Sequence, residues 1–503
     1  MQGDVGTLIW TICYFVVVIG LSAYGIHRYC IIYLYFKNRH RRPMPLKEFS
    51  SLPLVTIQLP IYNEVYVVER LLTAVGRIDY PKDKLEIQVL DDSTDDTVEL
   101  AQREVNKLRS EGFDAVVLRR GDRVGFKAGA LDYGLRHAKG EFFFIFDADF
   151  VPPRNILRKT IHHFTDPKVG MIQTRWGHIN RSYSWLTRAQ AVLLDGHLVL
   201  EQTARSRSGR FFNFNGTAGL WRKRCIEEAG GWQHDTLTED LDLSYRAQLC
   251  GWRFVFVGDV VTPAELPVDI DGVRSQQHRW TKGSIQTCKK VLPWIWKSKL
   301  PLFIKVEATA HLSSNYAYLL LVFLCVLLQP SSGSKAASDA TGGLIRMLMV
   351  DLPIFVATTV SVAVFYLCAQ RELYPRQWRR EVWFFPFVLS LSIGLSINNA
   401  RGVLEAIFNR RSDFCRTPKY GVVQRHQPWS KNRYAAIQSV VPIVELLFAI
   451  YFTYFTFRAF QNQEFLTIPF LILFQIGFGY VAFSSLLGRL PRGPIAEREI
   501  SAA

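Results

Sequence analysis

The sequence lacks paired cysteine motifs. None of its eight cysteines belongs to a Cys-x-x-Cys pair, the spacing that redox dithiols and many cysteine-based metal sites use. Several of the cysteines fall within apolar runs, where a thiol packs as a small hydrophobic group. This pattern favours reduced, structural thiols.

A glycine-rich phosphate-binding loop is also missing. The chain contains neither a Gly-x-Gly-x-x-Gly fingerprint nor a Walker-type loop, the two common ways in which backbone N–H groups hold nucleotide phosphates. If this chain binds a nucleotide, the negative charge of its phosphates must be neutralised by other means. A metal ion is the obvious candidate.

Charged residues are scarce in several long runs, which predicts membrane helices. Residues 7–27 carry no acidic or basic side chain until the end of the run. A signal peptide is the alternative, but the positive charges follow the run and no small-residue cleavage site is evident. By the positive-inside rule, the basic stretch 37–42 and the domain after it are expected in the cytoplasm.

Further apolar runs lie at about 308–329, 346–368, 382–398, 436–458 and 465–488. The loops on both sides of the third run, at 369–381 and 399–435, are arginine-rich and so are expected inside. They cannot both be cytoplasmic if 382–398 crosses the membrane once. We therefore expect 382–398 to be an interfacial or half-embedded helix that is broken near Pro386.

The 503 residues exceed one compact domain, and mean hydropathy is slightly positive at +0.07. The net charge of +16 is concentrated beside the apolar runs, which suits anionic membrane lipids better than nucleic acid. The expected organisation is a membrane helix with a basic linker (1–44), a cytosolic domain with interface helices (45–300), a membrane and interfacial part (301–490) and a short tail (491–503).

Alternation of strands and helices in the polar segment predicts an α/β domain with a parallel sheet. Strands are expected at 54–60, 85–90, 114–118 and 141–146, and helices at 65–77, 95–110 and 126–138. In such sheets the ligand binds beyond the carboxyl ends of the strands. Two acidic clusters fall at that edge.

These acidic clusters predict a nucleotide and metal site. Asp147 and Asp149 follow one apolar strand, and Asp91 and Asp92 end another. Mg²⁺ and Mn²⁺ take a few carboxylate oxygens together with substrate phosphates. A solvated turn or a helix N-cap is the alternative for such residues.

Three other groups are candidates for binding and proton transfer. Lys127 begins a helix, where a cation attracts an anion, although it could equally be a surface lysine. Thr238, Glu239 and Asp240 precede a helix; they could cap it, or a carboxylate could remove a proton from a hydroxyl group. Segment 211–219 offers aromatic and small residues either to a saccharide or to the core.

The segment Gln276-Gln-His-Arg279-Trp280 is the most unusual cluster. Arg279 can neutralise a diphosphate, and Trp280 offers a flat face on which a sugar ring can stack. A membrane-interface helix anchored by Trp and Arg is the alternative, and both can hold at once.

Taken in order, these motifs resemble the family-2 glycosyltransferases of the cellulose synthase superfamily, most of all the cellulose-synthase-like mannan and glucomannan synthases. The resemblance is dense over about 50–300 and looser in the C-terminal membrane part. After Trp280 the chain reads Thr-Lys-Gly, where the plant members have Ser-Cys-Gly. The stretches that carry the resemblance are 88–94, 127–130, 146–150, 214–219 and 276–280.

The resemblance implies a role for each motif. The catalytic domain would have the Rossmann-like GT-A fold, inserted between transmembrane helices, with Asp240 as general base beside Thr238 and Glu239. A Mg²⁺ or Mn²⁺ ion on Asp147 and Asp149 would hold the donor diphosphate. The remaining donor contacts would come from Glu64, Asp91, Asp92, Lys127, Gln276 and Arg279, and the acceptor contacts from Trp280, Asn215, Gly216 and Thr217. Thr417 and Lys419 match a Thr-x-Lys gating loop, expected at 413–421.

The resulting hypothesis is an inverting hexosyltransferase of the inner or plasma membrane, with its catalytic domain in the cytosol. It would use GDP-mannose or UDP-glucose to elongate, and export, a β-1,4-linked mannan, glucomannan or glucan. A non-processive enzyme acting on diacylglycerol, ceramide or a polyprenyl phosphate is the alternative. A transporter or scaffold with a degenerate catalytic domain is a third hypothesis, which the intact Asp147, Asp149 and Asp240 argue against.

Overall fold

Seven strands form one mixed sheet in the part of the chain that the computed structural model describes, residues 5–328, 349, 352–410, 417–423 and 439–488. In chain order they are β1 (Val55–Ile61), β2 (Leu85–Asp91), β3 (Asp114–Leu118), β4 (Phe142–Ile145), β5 (Val169–His178), β6 (Gly219–Arg222) and β7 (Arg253–Ala264). Across the sheet the order is β3-β2-β1-β4-β6-β5-β7.

The four predicted strands are present and mutually parallel. β1 lies between β2 and β4, and β3 pairs with the outer side of β2. The expectation of a parallel sheet fails at β6, which is antiparallel to both β4 and β5. β6 has only four residues and is not reached through a βαβ crossover, so the rule that makes crossover strands parallel does not apply to it.

Apolar strand residues face helices on both sides of the sheet, and every residue of β2 and β4 is buried. The polar side chains within β1 and β2 satisfy one another across the ladder: Thr56 Oγ1 donates to Glu86 at 2.6 Å, and Gln58 donates to Gln88 at 3.1 Å. Pairing of this kind removes most of the cost of burying polar groups.

Seventeen helices of the described residues surround or flank the sheet. The helices that precede residue 300 are α1 (Val5–Asn38), α2 (Val68–Val75), α3 (Thr97–Ser110), α4 (Phe126–His137), α5 (Ile156–Thr160), α6 (Trp185–Asp195), α7 (Gln202–Arg207), α8 (Lys223–Glu228), α9 (Glu239–Leu249) and α10 (Ile270–Lys297). The rest are α11 (Leu302–Ser313), α12 (Tyr316–Leu327), α13 (Leu352–Leu373), α14 (Trp378–Gly394), α15 (Ser396–Ile407), α16 (Val441–Gln461) and α17 (Ile468–Gly488).

Five helices are long and apolar enough to cross a membrane, or six if a bent pair is counted. The bent pair is α11 with α12, which meet at 57°. The five are Leu8–Asn38, Leu352–Leu373, Trp378–Ile407, Val441–Gln461 and Ile468–Gly488.

The helix over 382–398 differs from the expectation in one respect. It is not broken near Pro386, which lies inside α14, and the helix continues through Leu395, whose backbone is helical, into α15 as one candidate span, Trp378–Ile407. Both ends of this helix pair contact cations outside it: Glu381 with Arg188 at 3.1 Å, and Glu405 with Lys282 of α10 at 2.9 Å. An interfacial position therefore stays a prediction, while length and composition also allow a span.

Candidate active site

One cleft at the carboxyl edge of the sheet gathers most of the predicted residues. It opens where β1, β2, β4 and β7 end and where α4, α9 and α10 approach. The predicted residues that line it are Glu64, Asp92, Lys127, Asp147, Asp149, Asn215, Gly216, Thr238, Glu239, Asp240, Gln276, Arg279, Trp280, Thr417 and Lys419.

Two predicted residues lie behind the wall of the cleft. Asp91 is buried, and its carboxylate accepts a bond from the backbone N–H of Ser93 at 2.9 Å. Thr217 is also buried, and its hydroxyl oxygen accepts a bond from the backbone N–H of Asp147 at 2.9 Å. Both side chains therefore position the loops that carry Asp92 and Asp147, whose carboxylates line the cleft.

Asp147 and Asp149 follow β4 directly and form the acidic side of the cleft. Among the described residues no three His, Cys, Asp or Glu side chains cluster closely enough to hold a metal by themselves. Mg²⁺ and Mn²⁺ fit this donor set nevertheless, because such ions commonly take one or two carboxylates and complete their shell with water and substrate phosphate. The two carboxylates are the residues that would hold such an ion.

Both carboxylates are paired with lysines. Lys127 forms an ion pair with Asp147, and Lys419 donates to Asp149 Oδ2 at 2.7 Å. Each ammonium group stands beside a carboxylate oxygen that a divalent cation would use. A metal ion held by these carboxylates would therefore have to displace the lysines or share the carboxylates with them.

Lys127 lies in the first turn of α4 and reaches across the cleft. It also donates to the carbonyl oxygen of Gly216 at 3.0 Å. Burial alone would lower the pKa of Lys127, but the negative charges of Asp147, Glu239 and Asp240 outweigh burial and raise it. The lysine is therefore a fixed cation at the centre of the site.

Asp240 is in the first turn of α9 and points at the Gly216 loop. Its Oδ1 accepts a bond from the backbone N–H of Leu241 at 2.8 Å. Burial, followed by the charge of Glu239, raises the pKa of Asp240 to about 7, although Lys127 and Arg279 oppose the rise. A carboxylate with such a pKa can accept a proton near neutral pH.

Close packing of Gly216 against Asp240 explains the glycine. A Cβ atom at position 216 would lie 2.9 Å from Asp240 Oδ2, and the backbone φ angle of +83° is one that side chains disfavour. The neighbouring Asn215 is held by His197 at 3.1 Å and by Gln202 at 2.8 Å. The loop therefore has little freedom beside the carboxylate.

One face of α10 forms the wall opposite the sheet. Gln276, Arg279 and Trp280 all line the cleft, as expected for residues three and four apart on a helix. One turn further, Gly283 lets α10 approach Thr238, since a Cβ there would be 2.6 Å from the Thr238 methyl group. The helix thus holds Trp280 at a fixed distance from Asp240.

Lys282, the departure from the plant motif, does not line this cleft. It is buried and pairs with Glu405 of α15 at 2.9 Å. This contact ties the helix that carries Trp280 to the segment leading to Thr417.

Thr417 and Lys419 both reach the cleft. Lys419 also donates to the carbonyl oxygen of Glu265 at 2.7 Å, and the backbone N–H of Tyr420 donates to the Glu265 carboxylate at 3.1 Å. Residues 413–416 of the predicted gating loop lie outside the described residues.

Sequence reasoning missed three charged residues of the site. Two guanidinium nitrogens of Arg120 donate hydrogen bonds to the Asp92 carboxylate, and Nε lies 3.0 Å from Oδ1. Arg123 lies over the ring of Tyr62, 3.3 Å from its centroid, and Glu265 follows β7 at the same edge. The signal was available, since residues 119–123 follow β3 and therefore end at the same edge of the sheet.

Comparisons with known proteins identify the family of the chain. A family model described as "Glycosyltransferase like family 2" matches residues 53–283. Glucomannan 4-beta-mannosyltransferase 1 of Cyamopsis tetragonoloba is 33% identical over 434 residues, which cover 82% of this chain and 78% of that protein. Probable glucomannan 4-beta-mannosyltransferase 6 of Oryza sativa subsp. japonica is 42% identical over 261 residues, which cover 51% of this chain and 46% of that protein.

The chain thus spans less than half the length of the rice relative. Among solved structures, a mannosyltransferase of Pyrobaculum calidifontis in complex with GDP-mannose and Mn²⁺ overlaps 72% of this chain and 99% of that chain, with a TM-score of 0.49 and 22% identity. At this structural similarity and sequence identity, the ligands of that protein are not assigned to this chain.

Proposed function

The chain belongs to the family-2 glycosyltransferases, in the cellulose-synthase-like group of the glucomannan 4-beta-mannosyltransferases, and we propose that it elongates a β-1,4-linked mannan, glucomannan or glucan. GDP-mannose is the first candidate donor and UDP-glucose the second. The observation that carries the proposal is the meeting of Asp240, Lys127, Asp147 and Trp280 in one cleft.

The reaction is a single displacement with inversion. Asp240 accepts the proton of the acceptor hydroxyl group while the hydroxyl oxygen attacks the anomeric carbon of the donor sugar. The bond from that carbon to the diphosphate oxygen breaks, and the nucleoside diphosphate leaves with the electron pair. The raised pKa of Asp240 supports this role. At neutral pH a carboxyl group with a pKa of about 7 is partly ionised, so it can accept a proton, and it is basic enough to hold that proton.

The leaving diphosphate needs positive charge. Lys127 and Arg279 line the cleft on opposite sides and supply it. Asp147 and Asp149 would hold Mg²⁺ or Mn²⁺, which when bound adds further charge neutralisation. Glu64, Asp92 and Gln276 complete the proposed donor site. Asp91 supports it from behind the cleft wall by positioning the loop, and Arg120 supports it by fixing the Asp92 carboxylate.

The acceptor is a sugar chain in this proposal. The indole of Trp280 provides a flat face for the last sugar ring, a contact of the aromatic kind that carbohydrate sites favour. Asn215, Gly216 and Thr217 form the loop on which that sugar would rest. Thr417 and Lys419 would close the cleft over the donor.

The membrane part supports export of the product. The helices that can cross a membrane lie on both sides of the catalytic segment in the chain, and the basic stretch 37–42 supports a cytosolic position for that segment. We propose that the chain is an integral protein of the inner or plasma membrane, in contact with its lipids, and that the polymer leaves between its helices.

Product analysis tests the proposal. The purified protein is supplied with Mn²⁺ or Mg²⁺ and with GDP-mannose or UDP-glucose, and nucleotide release is followed. We expect metal-dependent release and a long product that a β-1,4-mannanase or β-1,4-glucanase cleaves. Turnover only after a lipid is added, with a product of one or two sugars, would instead support the glycolipid alternative.

A further inference from the structure

A second cavity lies beside the active-site cleft. Its volume is about 620 Å³, and its wall includes Arg70, Arg175, Val261, Pro263, Tyr374 and Val423; we refer to it as the junction pocket. It shares His178 with the cleft but none of the carboxylates assigned to catalysis. The proposed transfer reaction gives it no role.

Arg175 is the cation of the junction pocket that forms no ion pair within the described residues, although the charges of Asp195 and Asp259 act on it from farther away. It follows a bulge in β5, and its Nε donates to the carbonyl oxygen of Gly258 at 3.1 Å. Within the described ranges, no carboxylate lies at ion-pair distance from this guanidinium group, and burial lowers the pKa of Arg175. Its terminal nitrogens keep hydrogen-bond donors for another group.

The other charges at the pocket are already compensated. The Asp195 carboxylate accepts from Arg181 at 2.8 Å and also contacts His178 and Gln370. Arg70 pairs with Glu265 at 2.9 Å. Arg70 and Asp195, the other charged side chains of the pocket wall besides His178, thus each have an oppositely charged partner at ion-pair distance.

Most of the remaining wall is apolar. Val151, Ile179, Val261, Pro263 and Val423 contribute it, together with the ring of Tyr374. A pocket with one guanidinium group outside any ion pair of the described residues, and with apolar walls, suits a ligand that joins an anionic group to an apolar body.

The position of the pocket indicates how such a ligand arrives. Tyr374 directly follows the candidate membrane span Leu352–Leu373, whereas Arg175 belongs to the catalytic sheet. Val423 is four residues beyond Lys419 in the segment that reaches the active site, and Arg70 is joined to Tyr420 through Glu265. The pocket thus lies where the sheet, a membrane helix and the Thr417 segment meet.

We propose that the junction pocket binds a phosphate ester, with its phosphate group on Arg175 and its apolar part against Val261 and Pro263. A phospholipid headgroup at the membrane boundary and a soluble phosphate ester present the same chemistry. Binding here needs neither donor nor acceptor, so it can be tested independently of the transferase reaction.

The test measures binding to the full chain. The protein is placed in nanodiscs of phosphatidylcholine alone or of phosphatidylcholine with phosphatidylglycerol, and retained phospholipid is counted by native mass spectrometry after extraction into detergent. In a separate arm, inorganic phosphate and glycerol 3-phosphate are titrated, and the shift in melting temperature is recorded. We expect Arg175→Gln to weaken binding at least about tenfold and Arg175→Lys to retain part of it.

Two further variants keep the test decisive. Arg376→Gln removes an exposed arginine just after the same membrane helix but outside the pocket, and should bind as the wild type does. Val423→Glu adds a carboxylate at a wall position that is 40% exposed, and should weaken binding even if Arg175→Gln does not fold.

Each outcome decides the proposal. Phosphatidylglycerol retained in an Arg175-dependent way identifies the membrane as the source, and Arg175-dependent binding of glycerol 3-phosphate or inorganic phosphate alone identifies a soluble ligand. Binding that does not depend on Arg175 and Val423, or that Arg376→Gln reduces equally, overturns it.

Discussion

The ionisation of Asp240 sets the pH dependence that we expect for this protein. Its pKa of about 7 lies above the usual value of an aspartate, so the carboxyl group is protonated, and unable to accept a proton, at lower pH. kcat/KM should therefore rise with pH and level off above about 7. A pH profile of nucleotide release at low donor concentration measures this rise of kcat/KM.

Substitution of Glu239 should change the pH at which kcat/KM rises. Its negative charge raises the pKa of Asp240, so Glu239→Gln should shift the rise of kcat/KM to lower pH. If kcat/KM of Glu239→Gln rises at the same pH as that of the wild type, another group controls the pH dependence.

Gly216 allows a second prediction about a single residue. In Gly216→Ala the new Cβ would lie 2.9 Å from Asp240 Oδ2, so it displaces the carboxylate that we assign as the base. We expect kcat to fall at least about tenfold, since small misplacements of a catalytic group are costly, with little change in the donor KM. Steady-state kinetics of the purified variant measures both.

Gly209→Ala is the matched control for this variant. Gly209 has a similar positive φ of +70°, but no atom lies within 4 Å of the position that its Cβ would take. It therefore shares the backbone strain without the contact. Equal loss of kcat in both variants would contradict a specific role for the contact.

At this scale the sequence revealed carboxylates more readily than their partners. Asp147 and Asp149 stand out because a polar pair after an apolar strand is visible in one dimension. The pairing of Lys127 with Asp147 and of Arg120 with Asp92 depends on how two loops meet in space. Spacing along the chain could not indicate that contact.

Among the helices, the buried pair of Lys282 with Glu405 joins α10 to α15. Glu405→Gln would leave the Lys282 ammonium group buried beside a neutral amide, which should destabilise the protein by about 3 kcal/mol. A lowered melting temperature of the detergent-solubilised variant checks this.

Two comparisons show whether the buried charge is the cause. Lys282→Met added to Glu405→Gln removes the buried cation that has lost the Glu405 carboxylate, and should restore part of the lost stability. Asp114→Asn leaves the exposed Lys139 unpaired, where the cost should stay below about 1 kcal/mol. Equal destabilisation by Asp114→Asn and Glu405→Gln would contradict the explanation.

Strands and helices were predictable where their patterns are strong. β1, β2, β3 and β4 form apolar, β-branched or aromatic runs that hydrophobicity alone identifies. β6 has four residues, too few to show a period, and its antiparallel pairing depends on its neighbours. Pro386 suggested a break that α14 does not have, because a proline can remain in a helix when packing satisfies the freed backbone groups.

At the scale of the whole molecule, Lys419 links the C-terminal part of the chain to Asp149, one of the two carboxylates proposed to hold the metal. Its ammonium group takes a position on Asp149 that a divalent ion would use. Lys419→Ala should therefore bind Mn²⁺ more tightly in the absence of donor, on the order of tenfold. Titration with Mn²⁺, followed by electron paramagnetic resonance, measures the affinity.

Lys290→Ala is the control, because Lys290 pairs with Asp235 and Asp242 and does not line the cleft. It should leave Mn²⁺ affinity unchanged. An unchanged affinity in Lys419→Ala would refute competition between the lysine and the metal.

The meeting of distant segments was only partly predictable. The two acidic clusters were expected in one site because they share a sheet edge, and the other motifs, including Thr417 and Lys419, were joined to that site through resemblance. The contact of Lys419 with Asp149 spans 270 positions of the chain. No local pattern specifies a contact of that range.

The most direct test of the central claim is Asp240→Asn, with donor binding and turnover measured on the same preparation. Asparagine keeps the size of the side chain but cannot accept the proton. The account predicts that GDP-mannose or UDP-glucose binds with wild-type affinity, while turnover falls about 10²- to 10⁴-fold. Turnover within about tenfold of the wild type, with donor binding intact, would show that Asp240 is not the base.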